Sequence, residues 1–186
     1  MQATPTWRLK NVTGGDLGPQ GSGGAFPGNN WGYNLTNDDM RSAWVQTCVA
    51  AVRAGCTGCF IDQANVAEHL ATWGPPPQDA PAAASYRAAH LAALTELDVA
   101  LAPLGGYGIY NHLGTTRYGT STVMIEDFVG SEKCVQTLQT VAARGLTVQA
   151  HAGNYPAGNA CVDGDTNSLA AFLIGAGNYS FYHCAG

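Results

Sequence analysis

Four short apolar runs in this chain each finish in a residue able to donate, accept or move a proton. They are Cys59-Phe60-Ile61-Asp62, Ile109-Tyr110-Asn111-His112, Val123-Met124-Ile125-Glu126-Asp127 and Val148-Gln149-Ala150-His151. An apolar run followed at once by polar residues reads as a strand buried on both faces whose end opens onto a site. A parallel sheet gathers such ends along its carboxyl edge. Asp62 and Glu126 are the pair with the most chemistry to offer, because two carboxyl groups on one edge can divide the work of base and acid between them. The competing reading is that both only cap strand ends by accepting backbone hydrogen bonds.

Around that pair, Gln63, Asn65, Asn111, His112, His151 and Asn154 offer neutral donors and acceptors suited to a polyol such as a sugar. Trp31, Trp73 and Tyr155 fall in loops on the same edge, where an aromatic ring can stack on a pyranose face or simply anchor its loop. The second chemistry is a metal held by His112, His151, Asp62 and Glu126, since histidines and carboxylates on neighbouring strands suit zinc or manganese. No H-E-x-x-H supports it, and no metal or cofactor is assigned. Cys56 and Cys59 have the spacing of a zinc half-site, but no second pair comes after them and both fall in a predicted strand, so buried thiols or disulfides are the expected state. G-x-S-x-G is absent, which leaves serine nucleophiles without support. No G-x-G-x-x-G or G-x-x-x-x-G-K-S/T stands behind a strand, so nucleotide-binding sheets lose theirs.

The 186 residues suffice for one domain, residues 1–186, with a sizeable core. Hydrophobic residues make up 46% and charged ones only 11%, a composition that excludes disorder. No apolar run reaches the roughly 18 residues of a membrane span. Eight basic and thirteen acidic residues give a formal charge of −5 with no basic stripe, so nucleic acid is not an expected partner. Sequons at Asn11, Asn34 and Asn178, few lysines and six cysteines lean toward an extracellular or secretory-pathway glycoprotein. Cys161 and Cys184 form the favoured disulfide, one in the loop before the last helix and the other at the end of the last strand. The pairing of Cys48, Cys56, Cys59 and Cys134 stays open.

A scaffold for these residues can be read along the chain. Trp7 to Val12 reads as a strand, and the Gly/Pro/Asn-rich stretch from Thr13 to Gly32 as a long loop. Asn37 caps a helix with Asp38 and Asp39 in its first turn, Met40, Trp44, Val45, Cys48, Val49 and Val52 on its apolar face, and Gly55 at its close. After the Asp62 strand, a loop runs to Pro81 and a helix from about Ser85 to Ala102. Further helices are placed from Ser131 to Gly145 and from Thr166 to Ala176, with a last strand near Asn178 to His183. Six strands alternating with helices argue for an α/β fold with a parallel sheet.

Several pieces of the chain resemble glycoside hydrolase-like families with a (β/α)8 barrel, the group that includes polygalactosaminidase-like and related uncharacterised hydrolase-like proteins. The pieces are Tyr33-Asn34-Leu35-Thr36-Asn37 leading to Arg41 and Trp44, Ala54 to Asp62, Ile109 to His112, Met124 to Phe128, and Ala170 to Ala176. The resemblance implies a TIM-barrel-like fold that begins at the third strand and is partial, or closed by missing or partner segments. It places Asp62 after the fourth barrel strand and Glu126 after the sixth. The implied function is a secreted hydrolase acting on or binding a polysaccharide. Asp62 would serve as nucleophile or base and Glu126 as general acid in apolar surroundings, with Asp127 as the substitute acid. A catalytically silent extracellular glycan-binding or structural protein on the same scaffold is the alternative. The expected partners are carbohydrate and a chain or second copy that completes the barrel.

Overall fold

The computed structural model describes residues 5–10, 13–16, 32–62, 64, 80–111, 122–152 and 166–184. The chain divides into two compact units, one of residues 1–56 and 65–104, the other of residues 57–64 and 105–186.

The first unit is built on two helices, α1 (Asp38–Arg53) and α2 (Ala80–Leu101), the latter running on into a 3-10 turn at Ala102–Leu104. Asn37 has extended backbone angles and its side chain accepts from Met40 N at 2.9 Å, which satisfies one of the amides a helix start leaves over. At the other end Gly55 takes φ 107°, a left-handed conformation that costs glycine little. Met40, Val45 and Val49 form the buried stripe of α1. On α2, Ala83, Tyr86, His90, Ala93, Leu94, Leu97 and Leu101 recur at helical spacing and are all buried. Leu9, Leu35, Met40, Tyr86 and Ala93 cluster together, with Trp7, Tyr33, Trp44 and Ala89 packed on them. Arg41 ties the two helices at the surface, donating to Leu35 O at 2.8 Å and reaching Glu96 Oε1 at 3.3 Å.

Two sequence expectations fail here. Trp7 to Val12 is no sheet strand where it is described. Pro5–Trp7 is a 3-10 turn, and residues 8–10 make only isolated antiparallel bridges, Arg8 with Tyr33 and Lys10 with Asp16. The Trp7/Leu9 alternation is strand-like, but alternation alone does not make a strand, which needs a continuous run of paired residues, and the described bridges are isolated. Helix α2 begins at Ala80 rather than Ser85, with Pro81 inside its first turn, where the missing N–H has no helical acceptor to lose.

The second unit holds a five-stranded sheet: β1 (Gly58–Ile61), β2 (Tyr107–Asn111), β3 (Thr122–Phe128), β4 (Thr147–Ala152) and β5 (Ser180–Cys184). The spatial order is β1-β2-β3-β4-β5 and every pairing is parallel. The four strands expected to end at Asp62, Asn111, Glu126 and His151 are neighbours in that order. Helices α3 (Glu132–Ala143), capped by the Ser131 side chain on Cys134 N, and α4 (Thr166–Gly175) pack on one face of this sheet. The core between them joins Val123, Phe128, Val148 and Ala150 to Leu138, Val141, Ala171 and Phe172. Each large side chain buried there contributes about 1.5–3 kcal/mol relative to exposure. Ser168, fully buried on α4, shares a 2.9 Å hydrogen bond with Tyr182 of β5. Gly58 is a packing requirement, because a Cβ there would run into the Tyr107 carbonyl of β2.

Cys48, Cys59 and Cys184 are disulfide-bonded, while Cys56 and Cys134 are free. Cys56 lies ahead of β1, not in it, and is exposed. Cys161 lies outside the described residues, so the expected Cys161–Cys184 bond stands as a proposal. No helix among the described residues is long and apolar enough to cross a membrane.

Candidate active site

The strand register decides which side chains share a face. Ile61 pairs with Tyr110, Asn111 with Met124, Ile125 with Ala150, and His151 with His183. Because alternate residues point to opposite faces, Val123, Ile125, Val148, Ala150 and Tyr182 look toward the helices. Asp62, Asn111, Met124, His151 and His183 belong to the other face. Near its end β3 is irregular: between Ile125 and Phe128 it advances three residues while β4 advances two, from Ala150 to Ala152. The extra residue falls at Glu126-Asp127. It lets Phe128 rejoin the helix-side core and re-aims the strand end next to the site, a common use of a bulge.

Asn111 is at the centre. Its side chain is 1% exposed, and its Nδ2 donates to Asp62 Oδ1 at 2.9 Å and to Glu126 Oε2 at 2.8 Å. Two carboxylate oxygens bound to one nitrogen lie within about 6 Å of each other, two hydrogen-bond lengths. Asp62 stands one residue past β1 and is exposed, as is Glu126. The backbone also joins these elements, with Ala64 N donating to Asn111 O at 3.0 Å. The surroundings of Glu126 differ from the sequence expectation, since Val123, Ile125 and Phe128 pack into the helix-side core. Of the apolar residues near it in sequence, Val123, Met124, Ile125 and Phe128, only Met124 shares the face of Glu126.

His151 flanks Glu126 from β4. Its imidazole is pushed below the usual histidine range, chiefly by burial and next by His183, while the charge of Glu126 pulls the other way. The His151 and His183 rings meet edge-on, with centroids 5.1 Å apart. His183 was missed in the sequence although Phe181-Tyr182-His183 repeats the apolar-then-titratable pattern of the other four strands. Below this row, Phe60 of β1 and Phe181 of β5 are more than half exposed on the same face.

The structure thus brings together Asp62, Asn111, Glu126 and His151. Gln63, Asn65, Trp73, His112, Asn154 and Tyr155 lie outside the described residues, as do Trp31 and the side chain of Asp127. Of the sequons, Asn34 accepts from Thr36 N and Thr36 Oγ1 in a local turn, Asn178 is exposed ahead of β5, and Asn11 is not described. Among the described residues no group of three or more His, Cys, Asp or Glu side chains is placed to hold a metal ion. The arrangement offers a carboxylate pair on a shared amide donor, flanked by an imidazole.

Comparison with solved structures agrees with a barrel-derived sheet. The glycoside hydrolase domain of PelA from Pseudomonas aeruginosa superposes with a TM-score of 0.52 at 16% identity, covering 69% of this chain and 55% of that one. A glutamate-to-alanine variant of that domain gives 0.55 at 17%, covering 83% and 63%. A Nostoc punctiforme debranching enzyme gives 0.50 at 13%, covering 96% and 43%. This chain therefore spans about half the length of the solved proteins it matches. No curated protein matches the sequence. A family profile described as "Hypothetical glycosyl hydrolase family 15" matches residues 1–185, and the chain belongs to that family.

Proposed function

We propose that this protein is a polysaccharide-directed glycoside hydrolase in which Asp62 is the nucleophile and Glu126 the general acid and base. The observation that carries the reading is the shared donor: Asp62 Oδ1 and Glu126 Oε2 both bind Asn111 Nδ2. That closeness favours the roughly 5 Å spacing of retaining enzymes over the wider gap that admits a water. Asp62 attacks the anomeric carbon as the bond to the leaving oxygen breaks and Glu126 gives that oxygen its proton. Glu126 then takes a proton from water, whose oxygen displaces Asp62 from the sugar.

The remaining edge residues bind rather than react. His151 and His183, beyond Glu126 from Asp62, suit the hydroxyls of the leaving part of the saccharide, and Gln63, Asn65, Trp73, His112, Asn154 and Tyr155 suit the rest. The disulfide-bonded Cys48, Cys59 and Cys184 support an extracellular or secretory setting. Further parallel strands, from the same polypeptide or a partner, would pair with the edges at β1 and β5 and close the barrel.

A second reading, a catalytically silent glycan-binding protein, draws on Phe60 and Phe181, 53% and 58% exposed on the face that bears the site. In a closed barrel such rings fill the interior. The test is polysaccharide cleavage by wild type, Asp62→Asn and Glu126→Ala. The hydrolytic reading expects both variants to fall at least 100-fold, with azide restoring Glu126→Ala. Binding without cleavage by wild type would establish the silent reading instead.

A further inference from the structure

Asn111 does not fit the role of a sugar ligand that its position at a strand end invites. The side chain is almost fully buried, and its amide nitrogen is already engaged by two carboxylates. Its Oδ1 is buried with no hydrogen-bond partner. An unpaired buried acceptor costs about 1–3 kcal/mol, yet turning the amide over would set that oxygen against two carboxylate oxygens. Donation to both acids, one of them charged at each stage, therefore fixes the orientation, and the orphaned oxygen is its cost. The backbone bond from Ala64 N to Asn111 O fastens this residue to the chain just beyond Asp62.

We propose that Asn111 is the positioning residue of the carboxylate pair, setting the distance between Asp62 and Glu126, with proton transfer assigned to Glu126 Oε1. The proposal rests on the hydrolytic reading above. While Oδ1 of Asp62 and Oε2 of Glu126 are held by Asn111, each acid works through its other oxygen. In the first step Asp62 Oδ2 forms the bond to the anomeric carbon, the bond to the leaving oxygen breaks, and its electron pair takes the proton from Glu126 Oε1. The negative charge has then passed from Asp62, now an ester, to Glu126, and both stay within reach of the same N–H donors. In the second step Glu126 Oε1 takes a proton from water as the water oxygen replaces Asp62 Oδ2, and the charge returns. One amide thus serves both charge states without moving.

The test uses Asn111→Ala and the near-isosteric Asn111→Asp, with two independent readouts. Crystal structures at neutral pH report the spacing of the acids: in Asn111→Ala the nearest Asp62 and Glu126 oxygens should part by about 1 Å or more. An unchanged spacing overturns the proposal whatever the activity. Kinetics on a 2,4-dinitrophenyl glycoside turned over by wild type should show kcat of Asn111→Ala reduced about 100-fold, the cost of a misplacement of that size, with KM within threefold. Asn111→Asp, which at neutral pH can only accept, should be as impaired at pH 7 but regain activity toward pH 5, where a protonated carboxyl donates again. A raised KM with unchanged kcat would make Asn111 a sugar ligand and overturn the proposal. If wild type cleaves no glycoside, the hydrolytic reading fails, while the crystallographic spacing still decides whether Asn111 positions the acids.

Discussion

Asp62, one residue past β1, and Glu126 on β3, with β2 between those strands, accept hydrogen bonds from the same nitrogen, at 2.9 and 2.8 Å. Strands in a sheet lie about 4.8 Å apart, so the backbones of two acids on alternate strands are about two such spacings apart, and a donor on the middle strand that binds both draws their carboxyl groups together. Asn111 on β2 supplies that donor.

The spacing depends on β1 and β2 remaining close, and at Gly58 there is no room for a side chain between them. Gly58→Ala should destabilise the protein by about 1–3 kcal/mol, as overpacking does, because the methyl meets the Tyr107 backbone carbonyl rather than a side chain that can turn away. Urea unfolding checks this. Since β1 also carries Asp62, any activity should fall further than the stability loss alone accounts for.

Burial pushes the imidazole of His90 down from 6.5 to about 4, beside a Tyr86 ring stacked at 6.5 Å. The unfolded chain binds this proton more readily than the folded one, so stability is fully present above pH 6.5 and is lost as pH falls toward 4. At 1.36 kcal/mol per unit the loss approaches about 3 kcal/mol. Melting temperatures from pH 7 to 4.5 should fall for wild type and fall less for His90→Phe.

Helix α1 should weaken when its cap is removed. Asn37→Ala forfeits the bond to Met40 N and should cost about 1 kcal/mol in urea unfolding, with Asn37→Asp close to wild type.

Thiol labelling separates the cysteines. Without reductant, exposed Cys56 should react with iodoacetamide, whereas Cys48, Cys59 and Cys184 should react only after reduction. Peptide mapping under oxidising conditions should join Cys184 to Cys161. Recovery of Cys184 linked to any other cysteine would refute that pairing.

Much of the sheet could be read from sequence because β1 to β4 each announce their carboxyl end by an abrupt change from apolar to polar. The same cue at His183 was available but weaker, since β5 exposes Phe181 rather than burying it. The bulge at Glu126-Asp127 has no sequence signature, as it arises from the fit of β3 against β4. So the apolar flank inferred for Glu126 counted neighbours in sequence that point to the opposite face. Pro81 misled by acting as a helix first-turn residue rather than a breaker. The Trp7-Arg8-Leu9-Lys10 alternation misled because pairing requires a regular partner as well as a pattern. Asn111 was visible as a strand-end amide between the strands of the two acids, but its grip on both carboxylates depends on side-chain geometry that only the folded sheet supplies.

The proposed mechanism stands on covalent attachment of the sugar to Asp62. Incubation with a panel of 2,4-dinitrophenyl 2-deoxy-2-fluoroglycosides, followed by intact-mass and peptide analysis, tests that step. The mechanism requires one glycosyl adduct per chain, located on the peptide containing Asp62, absent from Asp62→Asn and lost slowly on dilution. An adduct on a different carboxylate, or cleavage of a polysaccharide that proceeds undiminished in Asp62→Asn, would contradict it.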